Sequence, residues 1–259
     1  MLPSDWREME DALAAAWPVP WSVRYDEFEL RASPEESNRG NCARIRTERP
    51  NLDSLLRAAE PFFERNGGVV QVAVPGPLLD TDQDLVARGF KIVDPSFIMS
   101  REAPGSAPPS IPADLTADLR AAPDREWLRG WEECAEAGPE RSPNLSVFLP
   151  DRGRACFVSL RDDAGSVVAV GSSVCYGKWR CLGNLATRRG ARGRGIGRLV
   201  LRILAARPAA GIERDVLQVD RGNGARRLYE SEGFRLVYPY HYRRLPNLDP
   251  EVINDPAPR

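Results

Sequence analysis

A glycine-rich segment at residues 187–197 has the residue types and spacing that point most directly to chemistry. It reads Thr-Arg-Arg-Gly-Ala-Arg-Gly-Arg-Gly-Ile-Gly and leads into an apolar stretch typical of a helix. Glycine permits positive φ and lets the backbone approach a ligand closely. The free N–H groups in a helix's first turn bind anions, and each hydrogen bond to a charged oxygen contributes about 1.5–3 kcal/mol. With Arg192 and Arg194 at its rim, this segment is predicted to bind a pyrophosphate without a metal.

Two common phosphate-binding motifs do not fit this segment. The dinucleotide pattern GxGxxG that starts at Gly193 would need a third glycine at position 198, which is Arg198. A Walker loop would need a Lys-Ser or Lys-Thr pair, and none follows. A plain turn before a basic helix face of Arg194, Arg198 and Arg202 is the structural alternative.

The composition limits the kinds of function. The 259 residues include 36 basic and 37 acidic side chains, and this balance argues against a basic nucleic-acid-binding surface. Apolar residues make up 42%, enough for sizeable cores. No run approaches the roughly 18 apolar residues of a membrane helix, and the first residues lack the pattern of a secretory signal. We therefore expect a cytoplasmic protein that binds neither nucleic acid nor membrane.

The cysteines and the histidine do not suggest a metal site. One histidine, His241, is present, and no CxxC pair occurs, whereas zinc sites use paired ligands at short spacing. We predict no metal and five reduced, mostly buried thiols. The cysteines are Cys42, Cys134, Cys156, Cys175 and Cys181.

A proline-rich stretch divides the chain into two halves. Residues 102–112 contain four prolines, which do not fit inside a helix or a central strand, so we predict an extended linker there. The halves are then 1–101 and 113–247, and residues 248–259 are predicted to be a loose tail.

The second half begins with strands and then alternates strands with helices, which is typical of an α/β (α+β) layered fold. Helices are predicted at 124–137, 195–207 and 225–231, and strands at 155–160, 167–176, 179–187, 216–219, 234–237 and 240–243.

The two halves share a weak internal repeat. Val70-Gln71-Val72 resembles Leu217-Gln218-Val219, and Arg88-Gly89-Phe90 resembles Glu232-Gly233-Phe234. Each strand-like triplet follows a helical stretch, 52–65 in the first half and 195–207 in the second. In addition, Phe97 lies seven residues after Phe90, as His241 lies seven residues after Phe234. These three matches in register predict a duplicated fold.

The glycine-rich segment resembles the pyrophosphate motif of the GNAT N-acetyltransferase superfamily, Arg/Gln-x-x-Gly-x-Gly/Ala, here at residues 192–197. The downstream residues 217–219, 225–234 and 240–243 resemble the closing strand, helix and strand of that family. The resemblance covers residues 113–245, and the first half resembles the degenerate partner of tandem members. It implies two GNAT-like domains, each a mixed, largely antiparallel sheet flanked by helices, with catalysis in the second.

The resemblance implies acetyl-CoA as the co-substrate, with two strands that splay apart beside it. Tyr229 matches the family tyrosine that donates a proton to the departing thiolate, and the N–H of Leu185 is a candidate donor to the oxyanion. The family often has an asparagine seven residues before the tyrosine; here Asn223 lies one residue late, so its contact is weakly supported. The implied cofactor-binding residues are Leu185, Ala186, Thr187, Arg192, Gly193, Arg194, Gly195, Ile196, Gly197 and Asn223.

The first half lacks these features. It has Glu48 where phosphates would bind and Leu85 at the position that matches Tyr229. We therefore expect a single cofactor site, with the first half either supporting the sheet or lining the acceptor pocket.

The implied reaction is N-acetyltransfer to a primary amine of a small molecule or a protein, by direct attack in a ternary complex. The general base stays open between His241, Glu132, Glu133 and water. The alternative function is a non-catalytic acyl-CoA-binding regulatory module. The sequence leaves the oligomeric state open.

Overall fold

The computed structural model describes residues 3–34, 37–105, 107–136 and 154–246; the predicted tail at 248–259 lies outside these ranges. The described helices are α1 (Trp6–Ala15), α2 (Leu52–Arg65), α3 (Leu79–Ala87), α4 (Arg125–Ala135), α5 (Ile196–Ala205) and α6 (Arg226–Ser231). The strands are β1 (Trp21–Arg24), β2 (Phe28–Ala32), β3 (Cys42–Ile45), β4 (Gln71–Pro75), β5 (Lys91–Glu102), β6 (Leu115–Arg120), β7 (Ala155–Asp162), β8 (Val167–Tyr176), β9 (Trp179–Thr187), β10 (Arg214–Asp220) and β11 (Arg235–Arg244).

All of these strands form one sheet in the order β1-β2-β3-β4-β11-β5-β10-β9-β8-β7-β6. Neighbours are antiparallel except β3 with β4 and β9 with β10, which are parallel. The predicted class, a mixed and largely antiparallel sheet flanked by helices, is confirmed. The halves exchange their last strands, because β11 lies between β4 and β5, and β5 lies between β11 and β10.

Helices cover both faces of the sheet. Side chains alternate between the faces along a strand. On β10, Val216 packs in the cluster of α1, whereas Leu217 packs in the cluster of α5 and α6. On β7, Phe157 packs under α4 and Val158 under α5. Therefore α1 and α4 share one face, and α5 and α6 cover the other.

The predicted repeat has the same local structure in both halves. Gly89 and Gly233 end α3 and α6 with φ of +85° and +89°, values that favour glycine. In each half, the N–H of the next phenylalanine donates to the carbonyl five residues earlier, Leu85 or Tyr229, at 3.0 Å. Leu85 and Tyr229 therefore occupy equivalent helix positions, as the sequence alignment of the halves predicted.

Some predicted boundaries differ from the structure. The predicted strands 234–237 and 240–243 are one strand, β11, with register shifts between Leu236 and Tyr238 and between Tyr240 and Tyr242. Pro239 lies between these irregularities, where the missing N–H is tolerated. Glu102 is the last residue of β5 and not the start of the linker. Residues 103–105 and 107–112 are in neither helix nor strand.

None of the helices in the described part of the chain is long and apolar enough to cross a membrane.

Candidate active site

Strands β9 and β10 separate to form a slot. They pair only at their beginnings, from Arg214 opposite Trp179 to Val216 opposite Cys181. Beyond Cys181, β9 continues to Thr187 with β8 on one side, and β10 continues to Asp220 with β5 on its other side. The backbone edge of β9 after Cys181 is therefore open toward the slot, as the sequence analysis expected.

A bulge at Asn184 interrupts the pairing of β9 with β8 next to this open edge. Asn184 has φ of +54°, a conformation that asparagine tolerates better than most residues. Its Nδ2 donates to Ser172 Oγ at 2.9 Å, and Ser172 Oγ donates to the carbonyl of Gly183 at 3.2 Å. The N–H of Arg188 donates to Val168 on β8. Because backbone groups alternate in direction along a strand, the N–H of Leu185 is directed to the open edge.

The glycine-rich segment forms the turn between β9 and α5. Gly193 and Gly195 have φ of +79° and +80°, and an added Cβ at either would meet no atom within 4 Å. At Gly197 a Cβ would lie 3.2 Å from Thr187 Oγ1, so this glycine lets the first turn of α5 approach the end of β9. The N–H groups of residues 193–198 donate to no other residue in the described ranges. The turn therefore presents a row of free donors beside open space.

Apart from Arg189, the arginines around this turn have acidic partners. Arg188 pairs with Glu133 at 2.6 Å, which ties the turn to α4. Arg192 donates through Nε to the carbonyl of Thr187 at 2.9 Å and lies 3.6 Å from Glu136. The remaining pairs are Arg194 with Asp114, and Arg198 and Arg202 with Glu232. These side chains mainly brace the turn, so its anion-binding capacity comes from the backbone.

Tyr229 lies on α6 beneath the sheet and is 7% exposed. Its ring packs edge-on to Phe234, with 6.0 Å between the ring centroids. No described residue hydrogen-bonds to its hydroxyl group, so that group is available to a ligand. Burial raises the pKa of Tyr229 to about 12, while the positive charge of Arg39 acts in the opposite direction. The hydroxyl is therefore protonated at neutral pH and can act as a donor.

Asn223 stabilises the turn that precedes α6. Its Oδ1 accepts from the N–H of Ala225 at 2.9 Å, and its own N–H donates to the carbonyl of Asp220 at 3.1 Å. The Oδ1 atom of Asn223 is therefore used as a hydrogen-bond acceptor within the turn before the helix.

The sequence-based candidates for a general base lie in different surroundings. His241 Nε2 lies 2.7 Å from Asp82 Oδ1, and Asp82 also accepts two hydrogen bonds from Arg243. On β11, His241 pairs with Val74 of β4, so it lies next to strands of the first half. Glu133 is engaged by Arg188, and Glu132 is half-buried on α4.

A cavity lies between α1 and the sheet, next to the slot. The second half contributes Asn184 and Gly183 from β9 and Gln218 from β10. The first half contributes Glu10 and Trp17 from α1 and its following turn. Three arginines also line it, Arg31, Arg39 and Arg44. Thus the first half extends the sheet, which is one of its two expected roles, and it also forms one wall of this cavity.

Comparison with known proteins agrees with this geometry. A family model described as "Probable histone acetyltransferase Rv0428c C-terminal" matches residues 3–244. The chain belongs to this family. The "Uncharacterized N-acetyltransferase YobR" of Bacillus subtilis (strain 168) is 27% identical over 252 residues, which are 92% of this chain and 98% of the relative.

Solved structures share the fold over nearly the whole chain. A GCN5-related N-acetyltransferase from Kribbella flavida has a TM-score of 0.72 at 17% identity and covers 95% of this chain and 97% of its own. A tandem GNAT protein from the clavulanic acid biosynthesis pathway has a TM-score of 0.63 at 15% identity and covers 93% and 94%. The predicted membership of the N-acetyltransferase superfamily, in its tandem form, is confirmed.

Sequence reasoning on this family member missed several residues of the site. The dipeptide Gly183-Asn184 within the predicted strand 179–187 is the local signal that could have indicated the bulge. Glu10, Arg31 and Arg39 carry no local signal, because they reach the cavity through long-range packing of the first half against the slot.

Proposed function

We propose that this chain is an acetyl-CoA-dependent N-acetyltransferase that acetylates a primary amine by direct attack in a ternary complex. The observation that carries the proposal is the row of free N–H donors at residues 193–198, at the end of the splayed strand β9. Free donors at a helix N-terminus suit a pyrophosphate, and an open strand edge suits an extended chain with amide groups.

The residues present fit acetyl-CoA, which supplies an acetyl thioester. The N–H groups of residues 193–197 would hold the pyrophosphate, where the open space beside Gly193 and Gly195 leaves room for it. The N–H of Arg192, which the resemblance also implied, instead donates to the carbonyl of Arg189 at 3.3 Å. The edge at Leu185, Ala186 and Thr187 would pair with the pantetheine amides. Asn223 stays a weaker candidate for a contact, because its Oδ1 already accepts a hydrogen bond from the N–H of Ala225.

Tyr229 is the proposed catalytic acid. With its pKa near 12, the hydroxyl stays protonated at neutral pH and can donate to the departing thiolate. The positive charge of Arg39 acts on this hydroxyl, so it favours negative charge as the proton leaves. The N–H of Leu185, on the open edge of β9, is the proposed donor to the oxyanion.

Glu10 is the proposed general base for the amine. It is the acidic residue among the described residues that line the cavity, and its Oε1 accepts a hydrogen bond from the Tyr238 hydroxyl at 2.6 Å. Burial raises its pKa, opposed by that hydrogen bond and by the charge of Arg44. A raised pKa brings a carboxylate closer to the range in which it takes a proton from an ammonium group.

We further propose that the protein acts in the cytoplasm and does not bind nucleic acid. Cys42, Cys134, Cys156 and Cys181 are buried thiols, which suits a reducing environment. The basic residues along α5 are paired with acids, as with Arg198 and Glu232 at 2.9 Å, which leaves little free positive charge for phosphates of a nucleic acid.

The test is turnover of acetyl-CoA with a panel of primary amines, followed by release of the CoA thiol and by the mass of the acceptor. We expect a product 42 Da heavier than the acceptor, about the mass that an acetyl group adds on amide formation. Calorimetry with CoA runs in parallel. CoA binding without acetylation of any amine would favour a non-catalytic acyl-CoA-binding module, and absence of CoA binding would refute the proposal.

A further inference from the structure

The cavity between α1 and the sheet contains more positive charge than its acids balance. Arg31, Arg39 and Arg44 line it together with a single acid among the described residues, Glu10. Arg44 is neutralised, because Glu29 and Asp11 each lie 2.6 Å from its Nη2. The other two arginines have no carboxylate within 4.0 Å among the described residues.

Arg31 is a buried cation without a counterion among the residues that the structure describes. The residue is 3% exposed, and its Nη2 donates to the carbonyls of Ala14, at 3.0 Å, and Trp17. Its Nε is buried and has no acceptor among the described residues. Burying a charge without a partner is costly, so a fold that keeps one facing a cavity is suited to a ligand that supplies the partner.

Arg39, which is half-buried, is the second arginine of the cavity without a carboxylate partner among the described residues. It lies in the connection between β2 and β3, and its Nη2 donates to the carbonyl of Gln218 on β10 at 3.3 Å. Its guanidinium also lies over the Trp17 ring, 5.8 Å from the centroid. Because Gln218 lies on β10, one wall of the slot, this hydrogen bond places Arg39 next to both the cavity and the slot.

We infer that the acceptor is an amine that also carries an anionic oxygen group, a carboxylate or a phosphate, which Arg31 and Arg39 bind while Glu10 faces the amine. This inference rests on the proposed function, because it assigns the acceptor to that same site. A guanidinium matches such oxyanions in shape and charge through paired N–H donors. The cavity thus holds one carboxylate and two arginines that have no carboxylate partner in the described part of the chain, and these charges complement an acceptor of this kind.

The experiment compares matched acceptors. The ω-amino acids with chains of three to six carbons are set against n-alkylamines of equal length, and aminoalkyl phosphonates against both to separate a carboxylate from a phosphate-like group. We expect kcat/KM to be at least about tenfold higher for one of the anionic series, the size of effect that a charge-assisted hydrogen bond gives. Equal or higher kcat/KM for the plain alkylamines would overturn the inference.

Variants of Arg39 assign the effect to the cavity. Arg39→Gln should reduce the ratio of kcat/KM between anionic and neutral acceptors about tenfold, and Arg39→Lys should restore part of it by keeping the charge. The control is Arg129→Gln on the exposed face of α4, which should leave the ratio unchanged. An unchanged ratio in Arg39→Gln would overturn the inference.

Calorimetry of the same amines with the CoA-bound protein separates the two proposals. Tighter binding of the anionic series, lost in Arg39→Gln, supports the inference even if no amine is acetylated, and that lack of acetylation rejects the proposed function instead. CoA binding and acetylation without preference for an anionic acceptor reject the inference and leave the proposed function standing.

Discussion

Replacing Gly195 by alanine tests whether the backbone of the turn binds the cofactor. Gly195 has φ of +80°, and a Cβ there would meet no atom within 4 Å, so the cost is conformational and not steric. An L-residue in the left-handed region costs about 1–2 kcal/mol, and the loss of glycine's freedom in the unfolded chain returns about 0.4–1 kcal/mol. The net destabilisation is about 1 kcal/mol, or a fall in Tm of roughly 2–4 °C for a chain of this size.

The effect on cofactor binding should be larger than the effect on stability. If the turn relaxes and two N–H groups no longer reach the pyrophosphate, each lost hydrogen bond to a charged oxygen costs about 1.5–3 kcal/mol. The Kd of CoA, measured by calorimetry, should therefore rise at least about tenfold. The matched control is Gly190→Ala in the same turn, where φ is not positive and the space is equally open. Equal Kd values for the two variants would refute the assignment of the turn.

Four further variants test the side chains. Tyr229→Phe should lower kcat at least about tenfold without raising the Kd of CoA or lowering Tm, because its hydroxyl has no partner among the described residues; an unchanged kcat would move the acid elsewhere. Glu10→Gln should lower kcat and abolish the rising limb of the pH–rate profile. Because the folded pKa of Glu10 is raised, its contribution to stability falls as pH rises through that pKa, so Glu10→Gln should match or exceed the wild-type Tm at pH 8. Burial raises the pKa of Asp82, but hydrogen bonds from Arg243 and His241 outweigh this and lower it, so Asp82→Asn should lower Tm at neutral pH and lose this effect as pH falls below 3.8. His241→Gln should leave kcat unchanged, and a loss of the pH–rate limb in that variant would make histidine the base.

The parts of the site that could be predicted are local in sequence. The turn at residues 187–197 joins a strand to a helix within a dozen residues, and its glycines are dictated by backbone conformation there. The equivalence of Leu85 and Tyr229 could be read from the glycine that follows each helix. Local patterns of this kind depend on φ, hydrogen bonds and side-chain period, all of which the sequence encodes directly.

The parts that could not be predicted depend on pairing between distant segments. Side chains alternate along β11, so His241 lies on the face of the sheet opposite to that of Tyr240 and Tyr242, as expected. Which side chains contact His241 depends on the pairing of β11 with β4. Likewise, Arg39 reaches Gln218 across 179 positions of sequence. No local pattern specifies which strand of one half will neighbour which strand of the other.

The exchange of last strands explains why the first half remains necessary although its own turn has lost the features of a cofactor site. There, Asn51 caps α2 by accepting from the N–H of Ser54, which removes a donor that a phosphate would need. Yet β5 from this half pairs with β10 over seven positions and so supports the strand that forms the second wall of the slot. In the chain, the helix that carries Tyr229 follows β10 and precedes β11. In the sheet, β11 lies between β4 and β5 of the first half. The position of the proposed catalytic acid therefore depends on strands from both halves, although the residues proposed to bind the cofactor come from the second half alone.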